Sequence, residues 1–169
     1  MDQGTGMAGA DVLRKVVERH GGVLHRLVHI ANRVVRPMTM GVRAVVLDAE
    51  GRVFLVRHSY VPGWHLPGGG VEPGETVLTS LARELEEEGN IRMTAPPVLH
   101  GVFFNDKHTK RDHVVVYVVR AFEQTGTRRP DWEIVETGFF DPAALPQGTS
   151  GATRRRLAEL AGGEIGERW

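Results

Sequence analysis

Apolar positions along the chain follow two different periods. Between Leu24 and Arg36, the residues Leu24, Leu27, Val28, Ala31, Val34 and Val35 recur at spacings of three and four, which predicts an amphipathic helix. His25, Arg26, His29, Arg33 and Arg36 occupy its other faces, and Pro37 ends it. Ahead of it, Asp11 to His20 has weaker helical character, broken by Gly21-Gly22, and the small polar run Met1 to Gly9 predicts a disordered start. After Pro37 the pattern changes. Val42 to Leu47 and Val53 to Arg57 are rich in β-branched residues and predict two strands, with a hairpin turn at Asp48-Ala49-Glu50-Gly51. Trp64 to Gly70 reads as a loop, and Val77 to Glu88 as a helix. Val98 to Phe104 and Val114 to Phe122 predict strands joined by the polar loop Asn105 to Asp112. Glu133 to Phe140 predicts a further strand, and Ser150 to Leu160 a closing helix. This mixed order, with no repeat and no long linker, predicts one layered α/β (α+β) domain.

Composition narrows the function more than the fold. The chain has 169 residues, enough for one domain with its own core. Lys plus Arg is 21 and Asp plus Glu is 21, so the balanced charge argues against a stable nucleic-acid complex or a polybasic membrane binder. There is no cysteine, which excludes disulfides, thiolate nucleophiles and sulfur-based zinc sites. With no signal-peptide pattern and no membrane-length apolar run, the expectation is a cytoplasmic protein.

The helix from Val77 to Glu88 carries the candidate chemistry. Glu84, Glu87 and Glu88 stand at i, i+3 and i+4, which puts three carboxylates on one face. Val77, Leu78, Leu81, Ala82 and Leu85 form an apolar stripe about 110° away on the same wheel. Each like-charge pair at these spacings costs about 0.2–0.5 kcal/mol in an exposed helix, and more near a low-dielectric sheet. A divalent cation relieves that repulsion, and an oxygen-only ligand set suits a hard ion, Mg2+ or Mn2+. The bland alternative, a solvated acidic face, is as common for such a helix taken alone. Pro67-Gly68-Gly69-Gly70 just upstream lets backbone approach a ligand closely.

The joint spacing is more specific than either part. Gly69, five residues, Glu75, seven residues, then Arg83-Glu84-Leu85-Glu86-Glu87-Glu88-Gly89-Asn90-Ile91 resembles the Nudix box, G-x5-E-x7-R-E-U-x-E-E-x-G-U, with U a bulky apolar residue. Every fixed position matches except the last glycine, where this chain has Asn90. That glycine ends the helix, and asparagine is the next-best residue in a left-handed terminus, although Gly89 can also serve. The resemblance extends over about Met38 to Leu160. It implies an α/β/α sandwich around a mixed sheet, with residues 38–169 as the hydrolase domain and 1–37 as an N-terminal extension. It implies that Glu87 and Glu88 are the main magnesium ligands, that Glu84 is a further ligand or the base, and that the Gly68 carbonyl is a backbone ligand. Arg83 then orients Glu87, Glu75 supports the loop–helix junction, and Gly69 and Gly70 meet the diphosphate. The implied reaction is hydrolysis of a phosphoanhydride bond in a nucleoside diphosphate linked to another moiety.

Outside the box the substrate residues are only candidates. Trp64 precedes the glycine loop and can stack a base or fill the core. Alternation sends only one of Phe103 and Phe104 inward, and Tyr60 is a further aromatic. Arg57 can contact a phosphate, as can Lys107, His108, Lys110 and Arg111 in one loop. Glu133 and Glu136 compete with Glu84 as the base. The competing reading is a non-catalytic nucleotide-binding module on the same scaffold, but such modules lose box carboxylates and this chain keeps them. An isoprenoid-diphosphate isomerase needs a cysteine the chain lacks. The basic N-terminal helix packs on the domain or on a homodimer mate in one reading, and contacts an anionic surface in the other.

Overall fold

The structure, a computed structural model, describes residues 38–107 and 109–169. The helices expected before Pro37, the disordered start and His108 lie outside the described residues. The order is β1 (Thr39–Val46), β2 (Val53–His58), α1 (Val77–Gly89), β3 (Ile91–Met93), β4 (Val98–Asn105), β5 (Asp112–Val119), β6 (Phe122–Gln124), β7 (Ile134–Phe140) and α2 (Gly151–Leu160). Strand β5 is central in a mixed three-stranded sheet, parallel to β1 and antiparallel to β4. Antiparallel pairs β2–β7 and β3–β6 complete the strand set.

The expected turn at Asp48 is present. Asp48 Oδ1 accepts from the Glu50 and Arg52 amides at 3.1 and 2.8 Å, and Gly51 has φ 78°. It does not open into a hairpin ladder. Strands β1 and β2 share one bridge, Leu47 with Val53, then part to pair with β5 and β7. Both are apolar on both faces, and a strand of that kind needs cover on two sides, which a simple ribbon does not supply.

Alternation along β1 and β2 splits the core in two. Val42, Ala44, Val46, Phe54 and Val56 join Leu81, Leu85, Ile91 and Val119 under α1. Val45, Val53 and Leu55 join Trp64, Leu66, Phe103, Val114, Val116, Val118 and Leu157 under α2. The helices therefore cover opposite faces, giving the layered α+β architecture. Each fully buried leucine contributes about 1.5–3 kcal/mol, so Leu81 and Leu85 are what hold α1 to the sheet. No helix among the described residues is long and apolar enough to cross a membrane.

Helix α1 is rotated from its expected setting. Leu78 and Ala82 are exposed, whereas Ser80, Leu81, Leu85 and Glu88 are buried. The carboxylate edge thus lies against the protein. Thr76 caps the start by accepting from the Thr79 amide at 3.1 Å. Asn90 ends it in the left-handed conformation (φ 51°, ψ 37°), alone among the described non-glycine residues in having positive φ. Its amide bonds back to the Glu86 carbonyl at 3.0 Å. Gly89 stays within the helix, packed against the Phe54 ring. A side chain without local hydrogen-bonding ability costs about 1–2 kcal/mol in this backbone conformation. Asn90→Ala should therefore lower the free energy of urea unfolding by about that amount, while Asn90→Gly stays within about 1 kcal/mol. Equal losses in both variants would contradict the assignment of Asn90 as the helix stop.

Candidate active site

The glycine loop is fastened along the free edge of β1. The Val42 amide donates to Gly69 O and the Ala44 amide to Pro67 O, both at 2.9 Å, and the Val71 amide to Met40 O at 2.8 Å. Gly68 has no substitute, whereas a side chain at Gly69 would have to displace the flexible Glu84 carboxylate. A Cβ on Gly68, where φ is 131°, would overlap the Val42 carbonyl oxygen, and one on Gly69 would overlap the Glu84 carboxylate. The loop is also tied to α1, since Ser80 Oγ donates to Gly70 O at 3.0 Å.

One guanidinium organises the acidic face. Arg83 Nε meets Glu75 Oε1 at 3.1 Å, and its Nη1 meets Glu84 Oε1 at 2.8 Å and Glu87 Oε2 at 3.2 Å. The expected Arg83–Glu87 contact is thus one of three. Hydrogen bonding to Glu75, chiefly, holds the Arg83 guanidinium above its ordinary pKa, and the same bond holds the Glu75 carboxyl below its own. Burial raises the Glu84 carboxyl, opposed by Arg83.

Glu88 is different. It is 5% exposed, and its Oε2 accepts from the Gly68 amide at 2.7 Å. Its other oxygen stands 3.5 Å from His58 Nε2. Burial pushes the His58 imidazole down to about 4, so it brings no positive charge at neutral pH. Burial also pushes the Glu88 carboxyl up to about 8, against the pull of Arg43 and the Gly68 amide. Arg43, on β1, donates to the Gly68 carbonyl and, at 3.4 Å, to the Leu66 carbonyl. Sequence reasoning missed Arg43, because an arginine inside a β-branched run looks like a solvent-facing strand position. A buried carboxylate is hydrogen-bonded directly to the glycine loop, and the positive charge around it is incomplete.

The model of the NUDIX domain matches residues 37–160 of this chain. The chain belongs to the NUDIX family of hydrolases. It is 30% identical over 125 residues to a MutT-like protein of Streptomyces ambofaciens, covering 74% of this chain and 78% of that one. It is 41% identical over 63 residues to the RNA pyrophosphohydrolase of Pelagibacter ubique, which covers 36% of this chain and 40% of that protein. The crystal structure of a MutT NUDIX hydrolase from Burkholderia pseudomallei superposes with a TM-score of 0.62 at 29% identity, covering 72% of this chain and 97% of that one. Members of the family generally act on nucleoside diphosphate derivatives and depend on a divalent metal.

The Nudix box therefore folds as one unit, but the other predicted contacts scatter. Trp64 is 7% exposed in the core under α2, edge-on to Phe140 with ring centroids 4.7 Å apart. Its indole is a packing element rather than a wall of the glycine loop, because bulk at the loop's start closes that core. Arg57 is paired with Glu136 at 2.7 Å and lies over the Trp64 ring, on the sheet face opposite α1. Arg111 is exposed just before β5, where its carbonyl accepts from the Thr39 amide at 3.0 Å. Gly70 has open space around its Cα. Phe103 is fully buried and Phe104 is not, as alternation requires.

Among the described residues, no three acidic or histidine side chains converge as a closed metal cage. A divalent ion that takes one or two carboxylates and completes its shell with waters and substrate phosphates is compatible with this donor set. The Gly68 carbonyl expected as a ligand is engaged by Arg43, and the Gly68 amide instead meets Glu88. The folded chain binds the Glu88 proton more tightly than the unfolded chain does. Its contribution to stability is thus present below about 4.5 and is lost as pH rises through about 8. In chelator, Glu88→Gln should lose less stability than wild type between about pH 5 and about pH 8, followed by urea denaturation. A variant whose stability falls as steeply as wild type would contradict this reading of the buried carboxylate.

Proposed function

We propose that this chain hydrolyses a phosphoanhydride bond in a nucleoside diphosphate linked to another moiety, with Mg2+ (or Mn2+) held at α1. The observation that carries the reading is Glu88, a buried carboxylate whose charge the protein leaves partly uncompensated beside a glycine loop. Glu88 and Glu87 would hold the ion with Glu84 nearby, and Arg83 keeps Glu84 and Glu87 in register. When bound, the ion polarises the phosphoryl group and lowers the pKa of an attacking water. Arg43 is the phosphate contact, since it already sits on the Gly68 carbonyl at the loop's base. Residues 38–169 are the hydrolase domain in this reading, and 1–37 an extension outside it.

Three carboxylates compete for the water's proton. Glu136 is committed to Arg57 at 2.7 Å, and Glu84 to Arg83. Among the described residues the Glu133 carboxylate accepts only from the Tyr60 hydroxyl, at 3.1 Å, and its charge is felt at Glu88. We assign the proton to Glu133.

The substrate class rests on family membership, and the name of the Pelagibacter relative, an RNA pyrophosphohydrolase, adds RNA to the substrates worth assaying. Glu88→Gln should lower kcat by at least about a hundredfold, and excess chelator should abolish turnover. Glu133→Gln should lower kcat by about a hundred to ten-thousandfold, while Glu136→Gln leaves it nearly unchanged. Steady-state kinetics on a panel of nucleotide sugars, dinucleotides and nucleoside triphosphates reads all three. Full activity of Glu88→Gln, or a Glu136→Gln defect larger than that of Glu133→Gln, would overturn these roles.

A further inference from the structure

A cleft of about 300 Å3 lies on the α2 side of the sheet, lined in part by Arg43, His65, Leu66, Lys107, Thr153 and Trp169. Arg43 belongs both to this cleft and to the glycine loop, where it reaches the Leu66 and Gly68 carbonyls. A molecule with its anionic chain on Arg43 and the carboxylate helix would therefore place its other end in the cleft. That end meets an indole, an aliphatic side chain and the Lys107 cation. A flat heterocycle carrying a phosphate chain has the matching chemistry.

The Trp169 backbone is held on both sides. The Trp169 amide donates to the Phe104 carbonyl at 3.0 Å, and its carbonyl accepts from Arg155 Nη2 at 2.6 Å. The Phe104 amide in turn donates to Glu167 O at 2.8 Å, so the segment after α2 lies along β4. Beneath it runs a buried polar network. Arg156, 0% exposed, lies 3.6 Å from the Phe103 ring centroid, contacts Glu159 at 2.5 Å and donates to the Arg168 carbonyl at 3.2 Å. Glu159 also binds His100 Nε2 at 2.8 Å and accepts from the Gly166 amide at 3.2 Å. Burying an arginine is costly unless it is paired and hydrogen-bonded. Here its pairing fixes the backbone that presents Trp169, and a wall fixed in advance loses little entropy on binding. Trp169 is itself only half-buried.

We propose that Trp169 is the wall on which the nucleobase of the substrate stacks, with the diphosphate running past Arg43 to α1. This rests on the diphosphate-hydrolase reading for the direction of the chain, but its test needs no turnover. The full chain in magnesium chloride is titrated calorimetrically with the α,β-methylene diphosphates of adenosine, guanosine, cytidine and uridine, and with base-free methylenediphosphonate. Wild type should bind at least one nucleoside analogue more tightly than methylenediphosphonate. Trp169→Leu, which keeps an apolar filling, should weaken that analogue about tenfold and leave methylenediphosphonate unchanged, and Trp169→Phe should restore most of the loss. Melting temperatures taken alongside identify any variant that has lost its fold, and the Phe variant then carries the comparison by binding the nucleoside analogue within a few-fold of wild type. Equal weakening of nucleoside and base-free ligands, no weakening in Trp169→Leu, or no base-dependent affinity in wild type would overturn the proposal. Base-dependent binding without hydrolysis of any substrate would sink the proposed activity and leave this wall standing. Hydrolysis with no effect of Trp169 on binding would do the reverse.

Discussion

Arg83 is the contact on which the rest of this site depends. The chain puts Glu84, Glu86, Glu87 and Glu88 within five residues at the C-terminal end of a helix, where the backbone dipole already disfavours negative charge. No basic residue follows in the last turn. Left alone, such a segment would fray. Arg83 joins Glu75, Glu84 and Glu87 through one planar group, and a planar fork does this where a lysine could not. The terminal carbonyls are satisfied from outside the helix. Arg128 Nε donates to Glu87 O at 2.6 Å, and Gln124 Nε2 to Gly89 O at 2.9 Å. Leu81 and Leu85 then anchor the helix by burial. With those contacts in place, Glu88 can remain the one acidic group of the cluster that is buried and poorly compensated.

The glycine loop converts that electrostatic arrangement into a fixed geometry. It is hydrogen-bonded to β1 on one side and to α1 on the other. The Gly68 amide sets Glu88, and the Glu84 carboxylate fills the space a Gly69 side chain would need. A loop tied at both sides keeps its carbonyls and amides oriented before any ligand arrives, which is the condition for electrostatic stabilisation without reorganisation.

The parts of this protein with a strong local signal were legible in its sequence. The box spacing identified the helix, the loop and the Arg83–Glu87 contact, and Asn90 behaved as the substitute for a terminal glycine. The β-branched runs predict β1 and β2, and the apolar stretches after the box predict β4, β5 and β7. Strands β3 and β6 have three residues each, too few to show a period, and exist because they pair with one another. The hairpin after β1 was misread because turn chemistry reports the turn and not the partners of the flanking strands. The stripe on α1 was set a few tens of degrees off. A periodicity argument puts leucines inward and glutamates outward, and here a backbone amide draws Glu88 in. Trp64 joins the core, and Trp169 carries no local signal in the sequence. Proximity in sequence favoured Trp64 for the base, whereas the fold brings residue 169 to Arg43 by laying it along β4.

The central claim is that the box carboxylates support attack of water on a phosphoanhydride bond. It is tested most directly by incubating the chain with magnesium and the nucleotide panel in water enriched in oxygen-18, and reading the products by 31P NMR. Cleavage of at least one panel member is expected, with one oxygen-18 per cleaved bond on a single phosphorus, and with cleavage and labelling at least about a hundredfold slower in Glu88→Gln. Label-free cleavage, or cleavage at the wild-type rate in Glu88→Gln, would contradict that claim.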